Sequence, residues 1–293
     1  MSFQILNENS CLAHFGFVKV DTTTKSGDVE FKTNVAHNLS TAKMFGALDV
    51  KYRLPQYGTT ITEKWNSDNV LSTELIVEDK IMKGMKLVMD SSYAPTIGLV
   101  AKEKLILNLS LLKCVYNISS KRAGRVKCEY RHQEASINAE VNADGTGGPL
   151  FNGAAVVGRN GVYLGVSAGY DPSKSKMTHH QVGIVAEKND FGVHSYMLNN
   201  NEFGGNIYHK VNGDLELAAN MSWMTGEQTT RFGVAAKYNV DKDTILRTKI
   251  NNNSQLGVAL THAFKPSLKG TISAVVNLNE NSHKLGLGLE FTN

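Results

Sequence analysis

Glu63 is the residue whose position makes the sharpest chemical statement. Tyr57, Thr59, Ile61, Glu63 and Trp65 share one face of a period-two pattern, and Thr60, Thr62 and Lys64 share the other. That places a carboxylate on an apolar stripe, where ionisation is costly; the alternative is a register slip or bulge that turns it to the polar side. The other reactive side chains do not assemble into sites. His179 and His180 sit near the start of one segment, and His132, His194, His209 and His262 lack partners at metal-ligand spacing. Cys11, Cys114 and Cys128 are odd in number and fit a reducing compartment or incidental thiols better than a disulfide framework. There is no Walker loop, no GxGxxG ahead of a helix, and no combination of nucleophile, base and orienting group. No metal site and no enzyme activity are expected.

The segments that must position these residues alternate almost end to end. Val18 and Val20 oppose Lys19 and Asp21; Phe31, Thr33 and Val35 oppose Glu30, Lys32 and Asn34; Leu48, Val50 and Tyr52 oppose Asp49, Lys51 and Arg53. The pattern returns at Leu71–Val77, at Leu215–Trp223, at Phe232–Val240 and at Leu285–Phe291. Clusters of Asn, Asp, Gly and Ser separate the segments, and all 5 prolines fall in the gaps, where no ladder hydrogen bond is lost. Strands are predicted to start near residues 15, 29, 44, 57, 70, 85, 125, 135, 150, 161, 181, 191, 203, 215, 231, 245, 256, 271 and 285. No linker or shift of composition divides the chain.

Among 293 residues, 31 basic and 27 acidic side chains leave a formal charge of +4, too mild and too evenly spread for nucleic acid as the main partner. The longest apolar run, Ala154–Val157, is far short of the roughly 20 residues of a membrane helix. Met1–His14 has neither the basic flank nor the apolar stretch of a secretory signal. Nineteen amphipathic strands without covering helices must stack, form a propeller or close into a barrel. No blade repeat is present. A water-filled barrel of this size in water would leave its apolar face unsatisfied, whereas lipid outside and water inside match both faces. A transmembrane β-barrel is therefore predicted, the competing reading being a large soluble β-protein with an apolar ligand. In the barrel, Lys19, Lys32, Lys51, Arg53, Lys64, Lys86, Arg125, Lys127, Lys237, Arg247 and Lys249 are expected to line the lumen beside Asp21, Glu30, Asp49, Glu74, Glu129, Glu140 and Glu216. A small surplus of cations there favours anions weakly, without a discrete site.

Several long motifs, in the same order, resemble the mitochondrial porins, the voltage-dependent anion channels of the outer mitochondrial membrane. They are KVDTTTKS (19–26), ITEKWNSDN (61–69), VEDK (77–80), KGMKLVMDSS (83–92), EFGGNIYHKVN (202–212), TRFGVAAKYNVD (230–241) and HKLGLGLEF (283–291). The resemblance implies an all-β fold: a transmembrane barrel of about 19 mostly antiparallel strands with parallel closure between first and last. The barrel is expected to span 15–293, with an insertion at 99–120. It implies a mitochondrial outer-membrane channel for small ions, adenine nucleotides, phosphate and organic anions, with a poorly conducting scaffold for protein partners as the alternative. It also implies a lipid-facing role for Glu63, in a TEKW context linked in the family to carbodiimide reactivity and to hexokinase-like partners; homo-oligomers remain an open option. No tightly held cofactor is expected. Weak NAD or ATP binding is carried over to Gln255, Leu256 and Gly257 and to Ser273, Ala274, Val275, Val276 and Asn277, with Gln255 and Asn277 departing from the family's usual residues; ordinary barrel wall is the competing reading. Lys284, Gly286, Leu289 and Phe291 fit the family's β-barrel sorting signal.

Two departures stand out. Met1–His14 is short, lacks an amphipathic stripe, and lacks the Tyr-x-Asp-Leu-Gly-Lys pattern of the family's pore helix. A wider or weakly gated pore is the corresponding expectation. Leu99–Ser120 is a leucine-rich insertion of about 22 residues between the sixth and seventh strands. Periodicity leaves it an extra strand, a short helix or a long insertion; being poorly suited to water, it reads slightly better as a stretch missing from the mature chain than as a loop, which intact mass distinguishes.

Overall fold

A computed structural model of the chain describes residues 16–94, 102–109, 112–119, 122–143, 148–227, 230–279 and 282–293, with backbone alone for 102–109, 112–119 and 122–123. The strands are β1 (Phe17–Ser26), β2 (Val29–Asn38), β3 (Met44–Leu54), β4 (Thr59–Asn66), β5 (Leu71–Glu78), β6 (Met85–Tyr93), β7 (Lys102–Leu109), β8 (Leu112–Ser119), β9 (Arg122–Arg131), β10 (Ala135–Ala143) and β11 (Pro149–Arg159). They continue as β12 (Val162–Asp171), β13 (Lys176–Lys188), β14 (Phe191–Leu198), β15 (Glu202–Lys210), β16 (Leu215–Met224), β17 (Arg231–Asn239), β18 (Thr244–Asn251), β19 (Gln255–Lys265), β20 (Leu268–Asn277) and β21 (Ser282–Thr292).

Nineteen of these make one closed sheet. Each barrel strand pairs antiparallel with the next, β6 pairs with β9 across the insertion, and β1 pairs with β21 in parallel. Parity dictates the last pairing: with an odd number of alternating strands, the first and last run the same way. The seam sets Val18 opposite Leu287, Val20 opposite Leu289 and Thr22 opposite Phe291. Closure leaves no free edge, which lipid requires because it cannot hydrogen-bond an exposed backbone. Among the described residues no helix is long and apolar enough to cross a membrane.

Turn chemistry explains the punctuation. Asn160 and Gly161 both take positive φ (55° and 84°), the primed turn whose twist matches a two-residue hairpin. A Cβ on Gly161 would lie 2.1 Å from the Glu187 carbonyl oxygen. The Asn66 side chain accepts from the backbone N–H groups of Asp68 and Val70 at 3.1 and 2.9 Å. Asp241 does the same for Asp243 at 2.8 Å and accepts from the Thr244 hydroxyl at 3.0 Å.

The expected strand starts agree with the structure to within a few residues, except that β13 begins at Lys176 instead of near 181. Lys176–His180 carries no apolar alternation, yet it pairs with β12 through a register shift at Gly169/Tyr170. Within the leucine-rich insertion, β7 and β8 form a two-stranded sheet separate from the barrel sheet. Met1–Phe15, including the short N-terminal segment, lies outside the described residues.

Candidate pore wall

Cross-strand pairing carries one face around the whole ring, because residues directly opposite each other point the same way. Starting from Val20, the face passes through Val35, Gly46 and Leu48 on β2 and β3, and returns through Ile272 and Leu287 to Val18. It carries the large exposed apolar side chains, with Ile137 at 52%, Ile272 at 61% and Leu285 at 63% exposure. On a closed sheet whose other face bears the ion pairs, this is the convex, lipid-facing surface. Trp65 and Trp223 both lie on it.

Glu63 stands on that same face, opposite Val50 on β3 and Thr73 on β5. No bulge interrupts either pairing, so the slip that would turn it inward is not present. The Thr73 hydroxyl lies 3.1 and 3.0 Å from the two carboxylate oxygens and donates to them.

All eleven cations assigned to the lumen from alternation fall on the opposite, inner face. Their surroundings differ. In the first half, Lys19 meets Asp21 at 2.9 Å, Arg53 meets Glu30 at 3.3 Å, Lys64 meets Glu74 at 3.1 Å and Lys86 meets Glu78 at 2.8 Å. Arg125 clasps Asp90, its Nε 2.7 Å from Oδ2, and Lys127 meets Glu129 at 2.6 Å. Lys32 and Lys51 stand opposite Asp49 and Glu30. Lys64, Glu74, Asp90, Arg125 and Asn142 line a wall recess of 370 Å³, a self-neutralising patch. Sequence reading missed Glu78 and Asp90; for Glu78 the signal was available, since it falls opposite Lys86 across the β5–β6 turn, whereas Asp90 meets Arg125 only because β6 pairs with β9.

The wall of β17–β20 is different: those four strands contain no Asp or Glu. Lys237 reaches back to Glu216 on β16 at 2.8 Å, and Tyr208 donates to the same carboxylate at 3.1 Å. Arg247 faces Lys237 and Ala259, and Lys249 faces Ala235 and Gly257. Arg247 donates to the Thr261 hydroxyl at 3.3 Å, which is 3.0 Å from the Thr271 hydroxyl.

The residues associated with nucleotides by resemblance divide by face. Gln255, Gly257, Ser273, Val275 and Asn277 lie on the inner side, whereas Leu256, Ala274 and Val276 lie on the lipid side. The sorting-signal residues divide too: Lys284 and Gly286 are inward, Leu289 and Phe291 outward. Among the histidines, His194 is inward, 3.1 Å from Asn206 and stacked on Tyr196, and His209 and His262 are outward. No group of three potential metal ligands occurs among the described residues.

An inner patch on β11–β15 was not anticipated. Val156, Tyr163, Val185 and Tyr196 all face inward. The Tyr196 ring lies flat over Gly204, where a Cβ would approach within 2.4 Å. The run Ala154–Val157 was the available signal: four successive apolar residues put apolar side chains on both faces.

A closed sheet with an apolar exterior and a charged interior defines a membrane-spanning β-barrel of the porin kind. The profile of the eukaryotic porin family matches in two stretches, residues 9–105 and 99–286, whose junction falls in the insertion. The chain belongs to the eukaryotic porin family. It is 39% identical over 94% of its length to the non-selective voltage-gated ion channel VDAC2 of Xenopus laevis, covering 91% of that protein. It is equally 39% identical to the non-selective voltage-gated ion channel VDAC1 of Rattus norvegicus, again over 94% of this chain and 91% of that one. Among solved structures, the siderophore receptor PirA of Pseudomonas aeruginosa aligns with TM-score 0.50 and 11% identity, over 91% of this chain and 68% of that one; this is a likeness of barrel fold alone.

Proposed function

We propose that this protein is a passive channel of the outer mitochondrial membrane. It lets small ions and anionic metabolites such as adenine nucleotides, phosphate and organic anions diffuse through a water-filled lumen, with a weak preference for anions. The observation that carries the reading is an inner face of charged and polar side chains, interrupted by the apolar patch on β11–β15, around a sheet closed by its own first and last strands. Within it, the carboxylate-free wall of β17–β20 supplies the anion bias. No bond is made or broken in such a mechanism.

The mitochondrial placement is supported by the family membership and by the sorting-signal spacing at Lys284, Gly286, Leu289 and Phe291. Weak nucleotide contacts are assigned to the inner residues Gln255, Gly257, Ser273, Val275 and Asn277, which share the wall with Arg247 and Lys249. Glu63, on the outer face beside Thr73, is the proposed contact for hexokinase-like partners. The test is conductance of refolded protein in a planar bilayer under a salt gradient and a voltage scan. Large steps with a reversal potential of anion sign are expected, and the same scan measures voltage gating. Folded, membrane-inserted protein without steps would overturn the channel and leave the scaffold.

A further inference from the structure

The insertion between β6 and β9 has an order that conduction does not use. The β7–β8 register sets Leu105 opposite Tyr116, Leu107 opposite Cys114, Leu109 opposite Leu112 and Glu103 opposite Ile118, all on one face. The other face holds the pairs Lys102–Ser119, Lys104–Asn117 and Asn108–Lys113, interrupted by Ile106–Val115. One face is thus seven apolar positions with a single acid at its base; the other is polar and basic, with three lysines and no carboxylate.

A two-stranded hairpin of this size is marginal in water by itself, so its apolar face needs a cover. Its attachment decides which. Only two residues separate Ser119 from Arg122, the first residue of β9, so the base of β8 is held within about 10 Å of the barrel rim. From that rim the outer face of β9 descends through Val126, Cys128 and Tyr130, part of the lipid-facing band. The nearest apolar phase is therefore the bilayer in which the barrel sits. An amphipathic element with lysines opposite its apolar face fits the boundary between acyl chains and phosphate headgroups.

We propose that β7 and β8 (Lys102–Leu109 and Leu112–Ser119) lie on the bilayer surface as an amphipathic pair of strands, the face that holds Leu105 and Tyr116 at the acyl-chain boundary and the face that holds the lysines at the headgroup phosphates. This rests on the barrel being inserted in a membrane and is independent of whether it conducts.

The test uses the full chain with Cys11→Ser and Cys128→Ser, labelled at Cys114 with an environment-sensitive maleimide dye before refolding into phosphatidylcholine vesicles with and without phosphatidylglycerol. A companion protein carries Cys114→Ser and Asn117→Cys, placing the dye on the other face. Spin-labelled lipid is expected to quench the Cys114 dye several-fold more than the dye at position 117, and aqueous iodide to do the reverse. Trp65 and Trp223, the chain's two tryptophans, are on the lipid face and report insertion through the same lipid quencher. With the tryptophans quenched, equal iodide access to both dyes overturns the proposal by placing the hairpin in water. A Cys114 dye shielded from both quenchers overturns it by placing that face against protein. Unquenched tryptophans would instead overturn the inserted barrel, and with it the hairpin's cover.

Discussion

If the carboxylate-free wall sets ion preference, removing Arg247 and Lys249, its two cations that face no carboxylate, must change selectivity, whereas deleting a matched pair must not. An ion moving off the lumen axis passes a wall charge at ~10 Å, where one unit charge acts in water with about 0.4 kcal/mol. One Debye length of screening at 0.1 M salt reduces that to about 0.15 kcal/mol. Arg247→Ala with Lys249→Ala thus removes about 0.3 kcal/mol of attraction for an anion and an equal repulsion for a cation. The ratio of anion to cation density should fall roughly threefold near that wall, and at 1 M salt, with a Debye length of ~3 Å, the change should vanish. The control is Lys64→Ala with Glu74→Ala, which deletes an ion pair 3.1 Å long and leaves the net charge unchanged. Exposed pairs of this kind are worth at most about 1 kcal/mol, so the barrel should survive both changes. Reversal potentials in a planar bilayer under a salt gradient read the outcome. Equal shifts for both variants, or no shift for the Arg247/Lys249 variant at 0.1 M, would refute the idea that uncompensated wall charge carries the bias.

Glu63→Gln should abolish labelling by a lipid-soluble carbodiimide, measured by peptide mass, and leave conductance unchanged because the side chain is outside the lumen. Gly161→Ala forces a side chain into positive φ and to 2.1 Å from the Glu187 carbonyl, a cost of about 2 kcal/mol or more, seen as a lower Tm in detergent. The hydrogen bonds from the Asp243 backbone N–H and the Thr244 hydroxyl hold the Asp241 carboxyl below its ordinary value. Its contribution to the β17–β18 turn is therefore present above the unfolded pKa of about 3.9 and lost as pH falls through the folded value; a carbon-13 titration of the side chain in micelles should show the depressed midpoint. If nucleotide contacts lie where the inner wall places them, Gln255→Ala, at an exposed inner position, should weaken NAD-induced chemical-shift changes and Val276→Ala, on the lipid side, should not.

Most of the barrel was legible because lipid and water write on alternate residues, and a two-solvent boundary leaves that record in every strand. The record fails where the boundary is absent or doubled. Lys176–His180 holds one apolar residue, Met177, and so no alternation, which leaves the start of β13 unmarked although hydrogen bonding needs no apolar partner. In β11–β15 the inner wall is apolar at Val156, Tyr163 and Val185, so the two faces lose contrast and the patch was read as strand with nothing further to say. The leucine-rich insertion has its own alternation, but only the pairing of Leu107 with Cys114 and of Leu105 with Tyr116 shows that both strands agree on a face. Glu63 was legible because a single carboxylate among Ile61, Trp65 and Tyr57 violates the pattern. The pairing of Arg125 with Asp90 was not, because residues thirty-five positions apart in sequence become neighbours only once β6 skips the hairpin to meet β9.

Net charge is the quantity that misleads most in such a chain. The formal +4 averages over loops, both faces and every wall sector. A permeating ion samples only what lies within a Debye length, ~8 Å at physiological ionic strength, which is shorter than the span of a nineteen-stranded lumen. Each sector therefore acts on its own. From β1 to β10, Lys19, Arg53, Lys64 and Lys127 stand 2.6–3.3 Å from carboxylates, and the fields of such pairs cancel a short distance into the water. From β17 to β20 nothing cancels Arg247 and Lys249, because four consecutive strands carry no acid. A pore that looks nearly neutral on average can thus hold one anion-attracting wall, and selectivity follows the order of residues along four strands more closely than it follows the count of charges in the whole.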